Sequence, residues 1–407
     1  MSNLHNKTIL ILSGGIEAIN GIKVAKRIGL KTIVCDGNYN APGKSYADFF
    51  IHCNIYDPEE TVHAISRYQK KNCIDGVITI ATDAVRTVSA VAEYLNLPAN
   101  SMKTAISSTD KLKMKTSFQE NSITVPKFTD INNEIELFDK IKNFKEAVLK
   151  PIDNRGGRGV IRLNKSLDLK KWYDYSLKFS SSKRLILEEW ISGPQISTES
   201  LVIDGKTYLC GISDRNYSNL SETFPFIVEN GGETPSKYYP EIKDILQKKL
   251  DDVAKILGIK NGILKGDIVL KNKIPYVIEV ATRLSGGFFS TITIPLVYHI
   301  NLVEKAILLA LGMKVEPTPQ PLKHYCYQAQ RFFFPQPGIV KKISKPNPKN
   351  IPRYVKYFEI NAKIGERILP IENHPMRKGS VIVYGKTREQ AIKRATNWIS
   401  QNNITTI

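Results

Sequence analysis

Cysteine is scarce in this 407-residue chain, which has five cysteines and no C-x-x-C pair. Their odd number and wide spacing indicate neither a disulfide framework nor a zinc site, so we expect a reducing compartment, the cytoplasm. No apolar run approaches the roughly 18 residues of a membrane span, and none is expected. Residues 1–8 are polar and the apolar run at 9–12 is short, so no signal peptide is expected either.

The chain also has far fewer acidic than basic residues, which gives a formal net charge of +19. Such a charge is compatible with nucleic acid, anionic lipid or small anionic substrates. The lysines are dispersed, however, and aromatic residues are not interleaved with them as in a base-stacking surface. We therefore expect a solvated, lysine-rich surface with no nucleic-acid partner and no membrane partner.

Strands and helices alternate through the first hundred residues. The apolar strand Thr8–Leu12 is followed by predicted helices at 17–28, 59–71 and 84–95 and by strands at 31–35 and 75–80. This alternation predicts an α/β domain with a parallel sheet. From Asp110 the pattern becomes α+β. The length allows two to three domains of roughly 100–200 residues each.

A glycine-rich loop, Asn154-Arg155-Gly156-Gly157-Arg158-Gly159, lies between strands predicted at 147–150 and 160–163. No helix follows it, which excludes a P-loop or a dinucleotide fingerprint. Its backbone N–H groups can hold phosphates, and Lys150 just before it can neutralise them. A flexible hairpin loop with an edge lysine is the alternative, and the loop alone favours that alternative.

Two carboxylates are predicted to face each other on a hairpin. Strands at 263–270 and 274–281, joined at Lys271-Asn272-Lys273, place Asp267 opposite Glu279. Such a pair suits Mg²⁺, and Arg283 on the same face can stabilise a transferring phosphoryl group. A surface ion pair is the alternative, which the apolar neighbours disfavour because ionised groups there need partners.

Acidic residues also occur on the strands predicted at 185–191 and 196–203, namely Glu188, Glu189 and Glu199. Paired acids of this kind can bind ribose hydroxyls or an adenine amino group. A solvated strand face explains them equally well.

Taken in order, these segments resemble the ATP-grasp superfamily in its carboxylate–amine ligase branch, and are similar to L-amino acid ligases, biotin carboxylase and the ATP-grasp units of carbamoyl phosphate synthetase. The resemblance rests on Asp110-Lys111, Lys150-Pro151, the Gly-Gly-Arg-Gly loop, Glu188-Glu189-Trp190-Ile191, Glu199, Gly266-Asp267 and the run from Ile278 to Gly287. Further matches lie at Cys35-Asp36-Gly37, Ala47-Asp48, Pro375–Ser380 and Lys386–Ala391.

The resemblance covers nearly the whole chain and implies its organisation. The expected fold is an α/β N-terminal parallel-sheet domain at 1–105, an α+β ATP-grasp fold at 106–315 and a C-terminal α+β segment at 316–407. Within the second domain, residues from about 116 to 187 are expected to move as a lid.

The resemblance also implies site residues and cofactors, here ATP and Mg²⁺, with Mn²⁺ as an alternative metal. The matched positions are Lys111 and Lys150 for phosphate, Gly156, Gly157 and Arg158 for the mobile phosphate loop, Glu188, Glu189 and Ile191 for the adenine linker, Glu199 for a further nucleotide contact, Asp267 and Glu279 for the metal, Arg283 for the acyl-phosphate step, and Ser285, Gly286 and Gly287 for the acceptor loop. Ala281 stands where many members have Asn, so the number of magnesium ions stays open.

The implied activity joins a small carboxylate to a small amine through an acyl phosphate, releasing ADP and phosphate. The alternatives are an ATP-dependent carboxylase of purine-synthesis type, and a nucleotide-binding module that has lost catalysis, for which Ala281 is the support. A nicotinamide-dependent oxidoreductase is disfavoured because G-x-G-x-x-G is absent after the first strand. The acid, the amine and the oligomeric state stay open, with a homodimer as one alternative.

Overall fold

The computed structural model describes residues 4–69 and 72–407, whose strands form sheets of four, eight, three and four strands. No helix in these two ranges is long and apolar enough to cross a membrane. The α-helices in chain order are α1 (Ile19–Arg27), α2 (Pro58–Gln69), α3 (Val85–Leu95), α4 (Met102–Ser107), α5 (Lys111–Glu120), α6 (Glu134–Lys140), α7 (Leu169–Lys178), α8 (Leu220–Thr223), α9 (Tyr239–Leu257), α10 (Ile294–Tyr298), α11 (Leu302–Ala310) and α12 (Arg388–Gln401).

The N-terminal sheet is parallel throughout, which confirms the expected α/β start. It consists of β1 (Thr8–Leu12), β2 (Lys31–Asp36), β3 (Phe49–His52) and β4 (Gly76–Ile78), in the spatial order β3-β2-β1-β4. All five residues of β1 are buried, as expected for a strand covered on both faces. The edge strand β3 was not predicted. The last two residues of the helix predicted at 59–71 lie outside the described residues.

A second, antiparallel sheet has a hydrophobic core of its own. It consists of β5 (Phe128–Ile131), β6 (Ala147–Pro151), β7 (Ile161–Leu163) and β8 (Leu185–Glu189), in the order β5-β8-β6-β7. Leu137 of α6 and Tyr173 of α7 pack against Leu149 and Leu187 of the sheet. We call this unit the lid sheet; its movement stays a prediction.

The central sheet runs continuously from the middle of the chain into its C-terminal part. The remaining strands are β9 (Gln195–Ile203), β10 (Lys206–Asn216), β11 (Gly231–Thr234), β12 (Gly262–Lys271), β13 (Ile274–Ala281), β14 (Tyr327–Phe332), β15 (Gly338–Ile343), β16 (Val355–Ile360), β17 (Arg367–Ile368), β18 (Gly379–Gly385) and β19 (Ile404–Thr406). Eight of them form the central sheet in the order β13-β12-β9-β10-β11-β14-β18-β16. The strands β17-β15-β19 form a small sheet beside it, so the C-terminal segment is α+β as expected.

The hairpin of β12 and β13 has the predicted register. Asn272 and Lys273 both have positive φ, 52° and 63°, as a two-residue turn that matches strand twist requires. Asp267 pairs directly with Glu279, which confirms their expected opposition, and a β-bulge follows at the next step. The long helix α9 packs against this sheet through Leu246, Leu250 and other buried residues, each worth roughly 1.5–3 kcal/mol when fully buried.

Candidate active site

A cleft of about 700 Å³ lies where the N-terminal sheet, the lid sheet, the central sheet and the C-terminal segment meet. It brings together nearly all of the residues that the sequence pattern singled out. Those lining it are Lys111, Lys150, Gly156, Gly157, Arg158, Glu188, Glu189, Ile191, Asp267, Glu279, Arg283, Ser285, Gly286 and Gly287.

Asp267 is held as a carboxylate by the groups around it. Its Oδ1 accepts from Ser197 Oγ at 2.8 Å and lies 3.1 Å from Arg215 Nη1, and its Oδ2 contacts Lys265 Nζ. Burial alone would raise the pKa of Asp267, but Lys265 and Arg215 outweigh burial and hold the pKa well below its usual range. Asp267 is therefore ionised at neutral pH, as a metal ligand must be.

Asp267 and Glu279 form a donor set that fits Mg²⁺. They are directly opposite on neighbouring strands, and Lys111 Nζ lies 3.2 Å from Glu279 Oε1. Among residues 4–69 and 72–407, no cluster of three or more His, Cys, Asp or Glu side chains could hold a metal by itself. Two carboxylates suit an ion that takes its remaining ligands from phosphate oxygens and water.

A buried triad of charges connects Lys150 of β6 to Glu188 of β8, one of the residues expected to contact adenine. Glu188 Oε1 lies 2.8 Å from Lys150 Nζ, and its Oε2 lies 3.2 Å from Lys115 Nζ. Burial would raise the pKa of Glu188, but the two lysines lower it below its ordinary value. Burial lowers the pKa of Lys115 to about 8, against the attraction of Glu188. The carboxylate of Glu188 is thus engaged within the protein, and Lys115 is a residue that the sequence reasoning missed.

The glycine-rich loop between β6 and β7 is shaped by three glycines and is contacted by Lys111 and His374. Gly156, Gly157 and Gly159 have φ of 67°, 75° and 71°, a region that other residues rarely adopt. Lys111 Nζ donates to Asn154 O at 2.6 Å, and the N–H of His374 donates to Gly156 O at 3.0 Å. The loop therefore closes over the cleft in this structure.

Arg283 lies past the end of β13 and is held by the N-terminal part of the chain. Its Nε donates to Asp83 Oδ1 at 2.8 Å, while Asp83 Oδ2 lies 3.6 Å from Nε of Arg155 in the glycine-rich loop. The Arg155 guanidinium also lies over the ring of Tyr56, 4.0 Å from its centroid. Burial alone would lower the pKa of Arg283, but Asp83 raises it, so the guanidinium stays charged.

Glu199, expected as a nucleotide contact, does not line the cleft. The residue is fully buried, and its Oε1 accepts from Ser285 N at 2.8 Å and from Ser290 Oγ at 2.7 Å. Ser290 belongs to a π-helical turn, Phe289–Thr293, which follows the acceptor loop. In this structure Glu199 therefore orders the Ser285–Gly287 loop from behind.

The far side of the cleft carries charged residues that were not predicted as site residues. Arg377 Nη1 donates to Glu229 O at 3.0 Å, and its guanidinium lies over Phe332, 3.4 Å from the ring centroid. Arg215 Nη2 lies 2.9 Å from Glu229 Oε2. Burial lowers the pKa of Arg377 to about 10. Arg377 belongs to the Pro375–Ser380 segment already noted in the sequence, which was the available signal.

Glu17 is a further unpredicted carboxylate in the cleft. Its Oε2 is buried and finds no hydrogen-bond partner among the described residues, and burial raises its pKa. It approaches the acceptor loop closely, because a Cβ on Gly286 would lie 3.0 Å from Oε2. Glu17 directly follows Ser13-Gly14-Gly15-Ile16 at the carboxyl end of β1, where ligands of open α/β sheets bind.

Three family models match consecutive parts of the chain. Residues 22–99 match the ATP-grasp N-terminal domain and residues 108–287 match the ATP-grasp domain. Residues 331–405 match the L-amino acid ligase C-terminal domain 2.

Curated relatives and solved structures are similar at low identity. A formate-dependent phosphoribosylglycinamide formyltransferase from Prochlorococcus marinus is 27% identical over 215 residues, which is 51% of this chain and 54% of that protein. The chain thus spans about half the length of the curated relatives it matches. L-amino acid ligase from Bacillus licheniformis superimposes with a TM-score of 0.82 at 21% identity, covering 100% of both chains. Phosphoribosylglycinamide synthetase from Anaerococcus prevotii gives 0.74 at 21% identity, covering 99% of this chain and 100% of that one.

Proposed function

Because the chain belongs to the ATP-grasp superfamily, we propose that it is an ATP-dependent ligase that couples a small carboxylate to a small amine. In the proposed reaction a carboxylate oxygen attacks the γ-phosphorus of ATP, ADP leaves, and an acyl phosphate forms. The amine then attacks the acyl carbon and expels phosphate.

The facing pair Asp267 and Glu279 is the observation that carries this proposal. The pair lies on one hairpin and lines the same cleft as Lys111, Lys150 and Arg283. Phosphoryl transfer needs little covalent help from a protein and depends on positioning and on neutralising charge. A cleft with two carboxylates for a metal and three cations for phosphates supports that chemistry.

Each group has a proposed part in the reaction. Lys111 and Lys150 neutralise phosphate charge, and the backbone of the glycine-rich loop holds phosphate oxygens. Asp267 and Glu279 would hold Mg²⁺, which when bound neutralises phosphate oxygens. Arg283 stabilises the charge that develops on the transferred group. The closed loop excludes water, which would otherwise hydrolyse the acyl phosphate.

The match of residues 331–405 to an L-amino acid ligase domain supports α-amino acids as the substrates. The cleft also suits them, because Arg377 can pair with a carboxylate, and Oε2 of Glu17, which has no hydrogen-bond partner among the described residues, can accept from an ammonium group. The names of the curated relatives indicate formate as the acid and phosphoribosylglycinamide as the amine instead. The proposed first step, attack of a carboxylate on ATP, would be the same for those substrates.

The scattered free cysteines support a reducing compartment, and we propose the cytoplasm. A homodimer stays a prediction, which sedimentation of the purified chain would decide.

The proposal is tested by ADP release with Mg²⁺, ATP and pairs of amino acids, with mass spectrometry of the products. Asp267→Asn and Glu279→Gln are each expected to abolish Mg²⁺-dependent ADP release while leaving the fold intact. Glu241→Gln is the matched control, since Glu241 is exposed on α9 and its carboxylate pairs with Lys273, outside the cleft. Wild-type turnover in Asp267→Asn or in Glu279→Gln would contradict the assignment of that residue as a metal ligand.

The carboxylase alternative predicts a different result in the same assay. ATP turnover that requires bicarbonate and proceeds without any amine would replace the ligase by the carboxylase. ATP binding without turnover under every substrate combination would favour a catalytically reduced module.

A further inference from the structure

One wall of the cleft is built from uncharged polar side chains on three neighbouring strands of the central sheet. Ser213 lies on β10, Thr234 on β11, and Gln328 and Gln330 on β14, and all four line the cleft. Thr234 pairs with Gln328 and Gly232 with Gln330, so these side chains share one face. We call Ser213, Thr234, Gln328 and Gln330 the polar wall.

The polar wall carries hydrogen-bonding capacity that the described residues do not use. Thr234 Oγ1 and Gln330 Nε2 are buried and have no hydrogen-bond partner within residues 4–69 and 72–407. Thr234 is 0% exposed and Gln328 is 2% exposed. Buried polar groups are almost always satisfied in folded proteins, so unused ones that line a cleft indicate a ligand that satisfies them.

The charged residues of β10 and β11 beside the polar wall are already paired. Asp214 and Glu233 point to the opposite face of the sheet, where Arg388 Nη2 contacts both, at 2.6 Å and 3.2 Å. On the same face as Ser213, Arg215 lies between Glu229 and Asp267. A charged substrate group placed against Thr234 would therefore find no free counter-ion among these residues of β10 and β11, and its removal from water there would be unfavourable.

From this placement we infer that the polar wall selects a substrate whose side chain is an uncharged hydrogen-bonding group, with a primary carboxamide as the best match. A carboxamide oxygen accepts from Gln330 Nε2, and its nitrogen donates to the Thr234 hydroxyl. An apolar side chain would leave both groups without partners, and a site built to hydrogen-bond a substrate rejects analogues that lack the bond. This inference rests on the proposed function and names the substrate class within it.

The test compares glutamine, methionine and glutamate, whose side chains are unbranched and of similar length. Each is titrated calorimetrically into the full chain with Mg²⁺ and a non-hydrolysable ATP analogue. Glutamine is expected to bind more tightly than the other two by at least about tenfold. Tighter binding of methionine or glutamate would overturn the inference.

Variants test whether the polar wall, and not another part of the cleft, sets the preference for glutamine. Thr234→Val keeps the shape of the side chain, and Gln330→Leu or Gln330→Met removes the amide; each is expected to shrink the preference for glutamine below about threefold. Gln119→Leu makes the same chemical change on the exposed face of α5 and is expected to leave the preference unchanged. Affinity for the ATP analogue, measured on every variant, shows that the fold is retained.

Binding and turnover decide different questions. If none of the three amino acids binds, the inference is overturned. If another acid then supports ADP release, the proposed ligase function still stands. If glutamine binds as expected but no acid and amine support ADP release, the selection by the wall stands and the proposed function fails.

Discussion

Arg283 is held in the cleft by a hydrogen bond from Nε to Asp83. If Arg283 stabilises charge mainly in the transition state, as proposed, Arg283→Ala should bind ATP nearly normally but turn over about 100–1,000-fold more slowly. Arg283→Lys keeps the charge without the planar fork, so it should recover activity only in part. ATP affinity by calorimetry and the rate of ADP release check both variants.

The matched control for this pair is Arg162→Lys. Arg162 pairs with Glu146 at 2.8 Å on the lid sheet and does not line the cleft. If Arg283→Lys resembled this control in binding and in turnover, Arg283 would serve only to pack against Asp83, and its catalytic role would be withdrawn.

Lys115 gives the protein a measurable dependence of stability on pH. The unfolded chain keeps this proton up to about pH 10.5, whereas burial makes the folded chain release it near pH 8. The unfolded state therefore binds more protons between these values, and the free energy of unfolding rises with pH. Relative to Lys115→Met, the wild type should gain up to about 3 kcal/mol across this window.

Urea unfolding of the wild type and Lys115→Met at pH 7.5 and at about pH 10.5 measures this difference. The contributions of titratable groups that both proteins share cancel in the comparison. A constant difference at the two pH values would contradict the release of a proton from Lys115 on folding.

At the scale of elements, two glycines of the glycine-rich loop share a backbone conformation but differ in the space around them. Both Gly157 and Gly159 have positive φ, so an alanine at either position costs roughly 1–2 kcal/mol. A Cβ at Gly157 would meet nothing closer than 3.7 Å, whereas one at Gly159 would lie 2.9 Å from Pro151 Cγ and 3.0 Å from Phe179 Cβ. Gly159→Ala should therefore lower the free energy of unfolding more than Gly157→Ala does.

Denaturant unfolding of the two variants checks this order, with Gly157→Ala as the control for backbone strain alone. Equal losses would show that Pro151 and Phe179 move aside without cost.

Elements with strong local signals were predictable. The β12–β13 hairpin has two apolar runs joined by a short polar turn, and its register follows from the turn. The strands β15, β16 and β17 were missed because exposed residues such as Lys341, Lys342 and Lys356 interrupt any continuous apolar face. Helix α7 was missed although Asp168 caps its N-terminus, accepting from Lys171 N at 3.0 Å, a signal that was available.

At the scale of the whole molecule, contacts between distant parts of the chain complete the site. The Asp83–Arg283 hydrogen bond joins residues 200 positions apart, and Arg155 reaches Tyr56 across the cleft. The charges themselves were visible in the sequence, and so was the facing of Asp267 and Glu279. Their partners were not, because no spacing along the chain relates Asp83 to Arg283 or Lys115 to Glu188.

Asp83 links three parts of the molecule, and its two arginines should contribute unequally. Breaking the largely buried pair with Arg283 should cost about 3 kcal/mol, since it leaves a charge without its partner. The pair with Arg155 is longer and more exposed and should contribute less than about 1 kcal/mol. Double-mutant cycles of Asp83→Asn with Arg283→Gln and with Arg155→Gln measure both interaction energies; the reverse order would contradict this geometry.

The continuous central sheet has a consequence for the history of such a protein. Strands β9, β12 and β13 at one end carry Ser197, Asp267 and Glu279, while β11 and β14 beyond β10 carry Thr234, Gln328 and Gln330. Mutations that reshape the second group leave the first group in place. On the proposed function, a lineage could therefore change its substrate in small steps while it keeps the residues that bind ATP and the metal.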